Sequence, residues 1–145
     1  MSLILQKFFE MSYYVIYDGN CNLCVTFTQL LETFDQGERF QYIPMQDEIG
    51  LKTFDITPED CEMGMILING RDCSQRWQGS NAAEEITRLL PLGDFFIQAY
   101  LALPGMKAFG DKSYEKIRDR RYDWFGKRKN TYQSVYPFGC SLTNS

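Results

Sequence analysis

Two cysteines three residues apart stand in the stretch Asp18-Gly-Asn-Cys-Asn-Leu-Cys24. The thiolate, not the thiol, is the nucleophile, and a free cysteine ionises near about 8.5. In a Cys-x-x-Cys pair at a helix start the value falls to roughly 3.5–7.5, so that half or more of the thiol is ionised at neutral pH. The neighbouring residues predict that placement. Tyr13-Tyr-Val-Ile-Tyr17 is a β-branched and aromatic run that reads as a buried strand, and Asp18-Gly19-Asn20 has turn composition. Beyond the turn, Cys24, Phe27, Leu30, Leu31 and Phe34 recur at three- and four-residue steps, the stripe of an amphipathic helix. Cys21 then falls in the first turn, where unpaired N–H groups and the positive end of the macrodipole favour an anion. The spacing assigns Cys21 as an exposed, attacking thiol and Cys24, on the apolar stripe, as a shielded, resolving one. Asp18 is close enough to act on both, either as a proton acceptor for the resolving thiol or as a charge opposing the thiolate. The alternatives are that the two cysteines form half of a metal site or are simply packed thiols.

The composition narrows these choices. The chain has 145 residues, 44% of them hydrophobic and 23% charged, which fits one soluble domain with a core of its own. It contains no histidine, which removes Cys-His and Ser-His-Asp catalysis and every histidine metal ligand. The net charge of −4 argues against a nucleic-acid binder. Charge is nonetheless uneven: Lys116, Arg118, Arg120, Arg121, Lys127, Arg128 and Lys129 face only Asp119 and Asp123 within 116–129. That segment reads as a solvated helix face or a docking patch. Five cysteines, an odd number, with no secretory segment fit a reducing, cytoplasmic setting. Residues 91–109 are apolar but broken by Asp94, Pro104, Gly105 and Lys107, so no membrane-spanning helix is expected.

Further along, Arg39–Pro44 predicts a second strand with Phe40, Tyr42 and Ile43 inward, giving a right-handed βαβ unit with parallel strands. Gln46–Phe54 suggests a short helix buried through Ile49, Leu51 and Phe54. Gly64–Ile68 is an apolar strand, and Asn69-Gly70 signals a tight type I′ hairpin returning through Arg71–Trp77, with Cys73 in the core. Asn81 and Glu84 form a capping-box pattern before a helix facing inward through Ala82, Ile86, Leu89 and Leu90. Gly93–Leu103 reads as a helix buried all round, and Lys112–Trp124 as another with Tyr114, Ile117, Arg121 and Trp124 along one side. The order β-α-β, hairpin, helix predicts an α/β, thioredoxin-like fold on a mixed four-stranded sheet, with added C-terminal helices. Residues 1–12 are expected to be an extension, 13–128 the domain, and 129–145 an irregular tail pinned by Tyr132, Tyr136 and Phe138.

The chain resembles the DCC thiol–disulfide oxidoreductase family, named for an Asp-x-x-Cys-x-x-Cys signature that Asp18, Cys21 and Cys24 match. Ser80-Asn-Ala-Ala83 and Tyr122-Asp-Trp-Phe-Gly-Lys127 extend the similarity. The resemblance implies a thioredoxin-like fold and disulfide exchange, with Asp18, Cys21 and Cys24 as the site residues. No cofactor is expected beyond redox partners: a disulfide-containing protein or a small-molecule thiol as substrate, and an electron donor or acceptor. One departure is visible. Where thioredoxins carry a cis-proline, this chain has Cys61-Glu-Met-Gly64, and trans geometry is expected there. A metal-binding or structural module using Cys21 and Cys24 with two of Cys61, Cys73 and Cys140 stays open, as do an interaction domain whose basic helix docks a partner and Cys140 as an extra redox thiol.

Overall fold

Tyr13–Tyr17 forms β1, and its alternating side chains divide the core in two. The computed structural model describes residues 13–138; the extension before residue 13 and Cys140 lie outside them. The order is β1, α1 (Asn22–Asp35), β2 (Phe40–Pro44), α2 (Glu48–Thr53), a 3-10 turn (Asp60–Met63), β3 (Ile66–Asn69), β4 (Arg76–Gln78), α3 (Ser80–Leu89), α4 (Gly93–Ala102) and α5 (Met106–Phe125). The sheet runs β2-β1-β3-β4, with β1 and β2 parallel and the β1–β3 and β3–β4 pairs antiparallel. This is the mixed four-stranded, thioredoxin-like arrangement. On one face Tyr14 and Ile16 pack with Ile43, Ile66 and Ile68 against Leu51 and Phe54. On the other, Val15, Tyr17, Phe40 and Leu67 pack against Leu31 of α1 and Ala82 and Ile86 of α3.

Several elements differ from the sequence expectation. Helix α1 buries Val25, Thr28, Leu31, Glu32 and Asp35, whereas Leu30 is exposed and Phe34 is 71% exposed. The helix is rolled toward its carboxylates because they have partners. Asp35 Oδ2 accepts from the N–H groups of Arg39 and Phe40, each at 2.9 Å. Glu32 Oε1 accepts from the Tyr132 hydroxyl at 2.8 Å, and Oε2 from Ser134 Oγ and Val135 N–H. In α2, Asp47 caps the helix and Leu51 is buried, but Ile49 points to solvent.

The hairpin is antiparallel but not a two-residue turn. β3 and β4 are joined by residues 70–75, with Asn69 N–H donating to the Gln75 carbonyl. Asn69 Oδ1 accepts from Arg71 N–H and Asp72 Oδ1 from Ser74 N–H, so local side-chain turns replace the type I′ geometry. Cys73 consequently sits exposed in this loop instead of in the core. Gly79, not Asn81, occupies the start of α3, because Asn81 Oδ1 and Glu84 Oε1 are both bound by Lys107 Nζ.

Helix α4 buries only Gly93 and Ile97; Phe95 is 70% exposed and Phe96 and Leu101 are exposed too. Its all-round hydrophobicity does not correspond to all-round burial. Helix α5 starts earlier than its apolar spacing suggests, after Gly105 in the left-handed region, and Trp124 and Phe125 are exposed. Gly64 (φ +120) lets α5 approach: a Cβ there would lie 2.8 Å from the Tyr114 hydroxyl oxygen. There is no cis peptide bond among the described residues. Nor, among them, is any helix long and apolar enough to cross a membrane.

Beyond α5 the chain returns across the sheet. Tyr42 N–H donates to the Tyr136 carbonyl and Phe138 N–H to the Tyr42 carbonyl, each at 3.1 Å, so the tail covers the edge strand β2. Glu32→Ala should detach this segment: it strands the Tyr132, Ser134 and Val135 donors and is expected to cost about 2–4 kcal/mol. Denaturant unfolding would give the loss, and hydrogen exchange should show the backbone amides of 132–138 losing protection first. Unchanged protection there would show that Glu32 does not anchor the tail.

Candidate active site

The turn after β1 is built around Asp18, whose side chain is buried. Asp18 Oδ1 accepts from Asn20 N–H at 2.9 Å and from Gln46 Nε2 at 2.8 Å. Oδ2 accepts from Arg121 Nη2 at 3.2 Å and from the Tyr122 hydroxyl. Gln46 Oε1 in turn accepts from Gly19 N–H at 3.0 Å. One carboxylate therefore joins the turn before α1, the loop after β2 and the last turns of α5.

Cys21 is the N-cap of α1 instead of a first-turn residue, with extended backbone (φ −99, ψ 122). Its sulfur takes the place of a capping oxygen and accepts from Cys24 N–H at 3.4 Å. The Cys24 thiol donates to the same sulfur, and this bond, with the N–H groups of Cys24 and Leu23, lowers the Cys21 pKa to about 6 against the opposing effects of burial and the Asp18 charge. The same hydrogen bond, together with burial, pushes the Cys24 thiol strongly upward. In the reduced pair the negative charge rests on Cys21 and the proton on Cys24. Asp18 opposes both thiolates, and Arg121 partly offsets it at Cys24.

Exposure is the reverse of the sequence expectation. Cys21 is 0% exposed, and Cys24 is half-buried. The cover over Cys21 is the chain just after α5. Lys127 pairs with Cys21 as an isolated antiparallel bridge, and Asn22 N–H donates to the Gly126 carbonyl at 3.2 Å. Asn22 Nδ2 donates to the Phe125 carbonyl at 2.9 Å, and Arg128 N–H to the Asn20 carbonyl. This layer is one chain thick, since Lys127 and Arg128 are themselves exposed. It comes from a hundred residues downstream, where no local pattern points back to Cys21.

Cys24 instead walls a cavity of about 270 Å³, together with Leu23, Phe27, Met65, Tyr114 and Ile117. Arg118 and Arg121 reach its lining. Cys61 also lines it, but its thiol donates to the Thr57 carbonyl and burial raises its pKa to about 11. Among the described residues no three of the cysteines, aspartates and glutamates converge to hold a metal ion. Cys73 lies at the far end of the sheet, beyond the register pair Tyr13–Asn69, while the site lies at the Tyr17 end.

Arg121, Tyr122, Gln46 and Tyr114 are the residues that spacing alone did not assign to the site. Arg121 and Tyr122 lay within the basic segment and the Tyr122–Lys127 similarity, but their common target Asp18 was not visible in either.

The low Cys21 pKa has a pH consequence. Thiolate absorbance of the reduced protein should titrate near pH 6, and that step should vanish in Cys21→Ser. The folded value is depressed, so the thiolate's contribution to the stability of the reduced protein is fully present above about 8.5, the unfolded value, and is lost as pH falls through about 6. A single step near 8.5 would remove the assigned charge distribution.

A helix-capping Cys-x-x-Cys thus stands at the carboxyl end of β1, on a sheet of thioredoxin-like order. The family model of the DCC1-like thiol-disulfide oxidoreductases matches residues 15–127. The chain belongs to that family. No curated protein and no solved structure matches it.

Proposed function

We propose that the protein exchanges disulfides through Cys21 and Cys24, which cycle between a dithiol and an intramolecular disulfide, with a thiol or disulfide partner supplying or accepting the electrons. The observation that carries this reading is the unequal sharing of one proton. Cys21 Sγ, at a helix N-cap, receives both the thiol and the N–H of Cys24, so a thiolate is available at neutral pH within reach of its partner sulfur. Family membership supports the same chemistry. A reducing, cytoplasmic setting is part of the same proposal, on the odd number of cysteines in the sequence.

The test is a redox titration against glutathione at several pH values. For a two-electron couple each proton taken up is worth about 30 mV per pH unit. Two protons enter below the Cys21 pKa and one above it. The potential should therefore fall by about 60 mV per pH unit below pH 6 and about 30 mV above. Failure of the pair to form a reversible disulfide would remove the function.

A further inference from the structure

We propose that the apolar cavity beside Cys24 is the entry site for a low-molecular-weight apolar thiol bearing an oxygen acceptor, and that exchange begins at Cys24 Sγ with Cys21 as the departing sulfur. The inference rests on disulfide exchange by this pair and adds to it the substrate class and the sulfur that is attacked. Access decides the sulfur. Cys21 has no exposed surface beneath Gly126–Arg128, whereas Cys24 walls the cavity.

Size and lining decide the class. The cavity's volume of about 270 Å³ lies near the lower end of ligand pockets, about 300–1,000 Å³, which suits a small molecule. Leu23, Phe27, Met65 and Ile117 make the walls apolar. A polypeptide substrate would pair as an extended strand with free backbone groups beside the cysteines. Those groups are already taken in the loop before β3. The Met63 carbonyl accepts from Arg118 Nη1, the Gly64 carbonyl from Gln78 Nε2, and Met65 N–H donates to the Tyr114 hydroxyl oxygen. Gly64 N–H and the Met65 carbonyl are bonded to the Cys61 carbonyl and Gly79 N–H. The cations in the lining are Arg118 and Arg121, against the one carboxylate of Asp18, and this surplus of positive charge favours a carboxylate or other oxygen acceptor on the thiol.

The chemistry then runs in two steps. The ligand thiolate attacks Cys24 Sγ; the Cys21–Cys24 bond breaks, a ligand–Cys24 disulfide forms, and Cys21 leaves as thiolate. A second ligand thiolate attacks the ligand sulfur of that mixed disulfide, giving the ligand disulfide, and Cys24 leaves and takes up a proton. Two thiols are oxidised and one protein disulfide is reduced. The reverse sequence has the Cys21 thiolate resolving a mixed disulfide on Cys24. The more acidic thiol is the better leaving group, which favours departure of Cys21 over Cys24.

The test uses the oxidised wild-type protein with sulfanylphenylpropanoic acid, phenylethanethiol and glutathione, compared at equal thiolate concentration. Acid quenching and peptide mapping should find the adduct on Cys24 with Cys21 free. Sulfanylphenylpropanoic acid should react at least about tenfold faster than glutathione, the margin expected for one or more buried methylenes, and faster than phenylethanethiol, which lacks the acceptor. Ala83→Phe, which fills the cavity from α3, should reduce the first ratio to near one. An adduct on Cys21, equal rates in the wild type, or a ratio that survives Ala83→Phe would each overturn the entry site. A pair that still titrates reversibly leaves disulfide exchange standing in those cases, whereas a pair that never titrates removes both.

Discussion

Cys21→Ser is expected to abolish catalytic disulfide exchange while leaving the fold intact. The two consequences separate because Cys21 does two jobs. As the N-cap of α1 it accepts Cys24 N–H, and serine is among the best residues for that role, so below about pH 6, where the Cys21 thiolate no longer contributes, the stability of the reduced protein should change by less than about 1 kcal/mol. In the proposed cycle it also supplies one sulfur of the intramolecular disulfide, and serine forms none. An attack within one molecule carries an effective concentration of roughly 10⁵ M or more for well-oriented groups, which millimolar external thiol does not approach. Turnover in a coupled disulfide-reduction assay should therefore fall at least about a thousandfold, with an unfolding midpoint of the reduced protein unchanged below about pH 6. Cys21→Ala tests the other half: it removes the cap as well and should cost about 1 kcal/mol more than serine. Retained turnover in Cys21→Ser would mean that Cys24 works with another thiol, and Cys61, on the wall of the same cavity, would be the first candidate to examine.

The sequence made the site's frame legible because the frame is local. Strand, turn, Cys-x-x-Cys and helix fall within residues 13–35, and each carries its own periodicity or turn chemistry. The parallel pairing of β1 with β2 followed from the βαβ spacing. What spacing missed lies at long range. The face that α1 buries is set by carboxylates whose partners are Tyr132, Ser134 and Val135, so counting apolar residues chose Leu30 and Phe34 wrongly. The exposure of the two thiols was inverted because the cover on Cys21 comes from Gly126–Arg128. Asn69-Gly70 is a strong hairpin signal, yet Asn69 and Asp72 side-chain bonds widened the loop and moved Cys73 to the surface. Pattern counts rank polar residues as outward-facing, and these are polar residues with distant partners.

Arg121→Met should destabilise the protein and disturb its thiol chemistry together, since one arginine supports both through Asp18. The Arg121 and Asp18 side chains are 12% and 3% exposed, and their N–O distance is 3.2 Å. Removing one member of a buried pair leaves the other charge uncompensated, at a cost of about 3 kcal/mol or more. Methionine preserves most of the arginine stem's packing, so the loss reports on charge more than on volume. Asp18 would keep its bonds from Asn20, Gln46 and Tyr122, which hold the turn but do not cancel the charge. The Asp18 charge already opposes both thiolates, and without the guanidinium that opposition is unscreened. The thiolate titration of Cys21 should move upward from about 6, so that at pH 7 a smaller fraction is ionised. Asp18→Asn in the Arg121→Met background removes the stranded charge and keeps the side chain's shape. It should recover at least half of the lost stability and return the titration downward, giving a coupling energy outside the additive range of about 0.5 kcal/mol. Urea unfolding of the four proteins, with thiolate absorbance followed across pH, measures both quantities. If the single and double variants are additive, the two residues act independently and Asp18 does not link α5 to the redox pair.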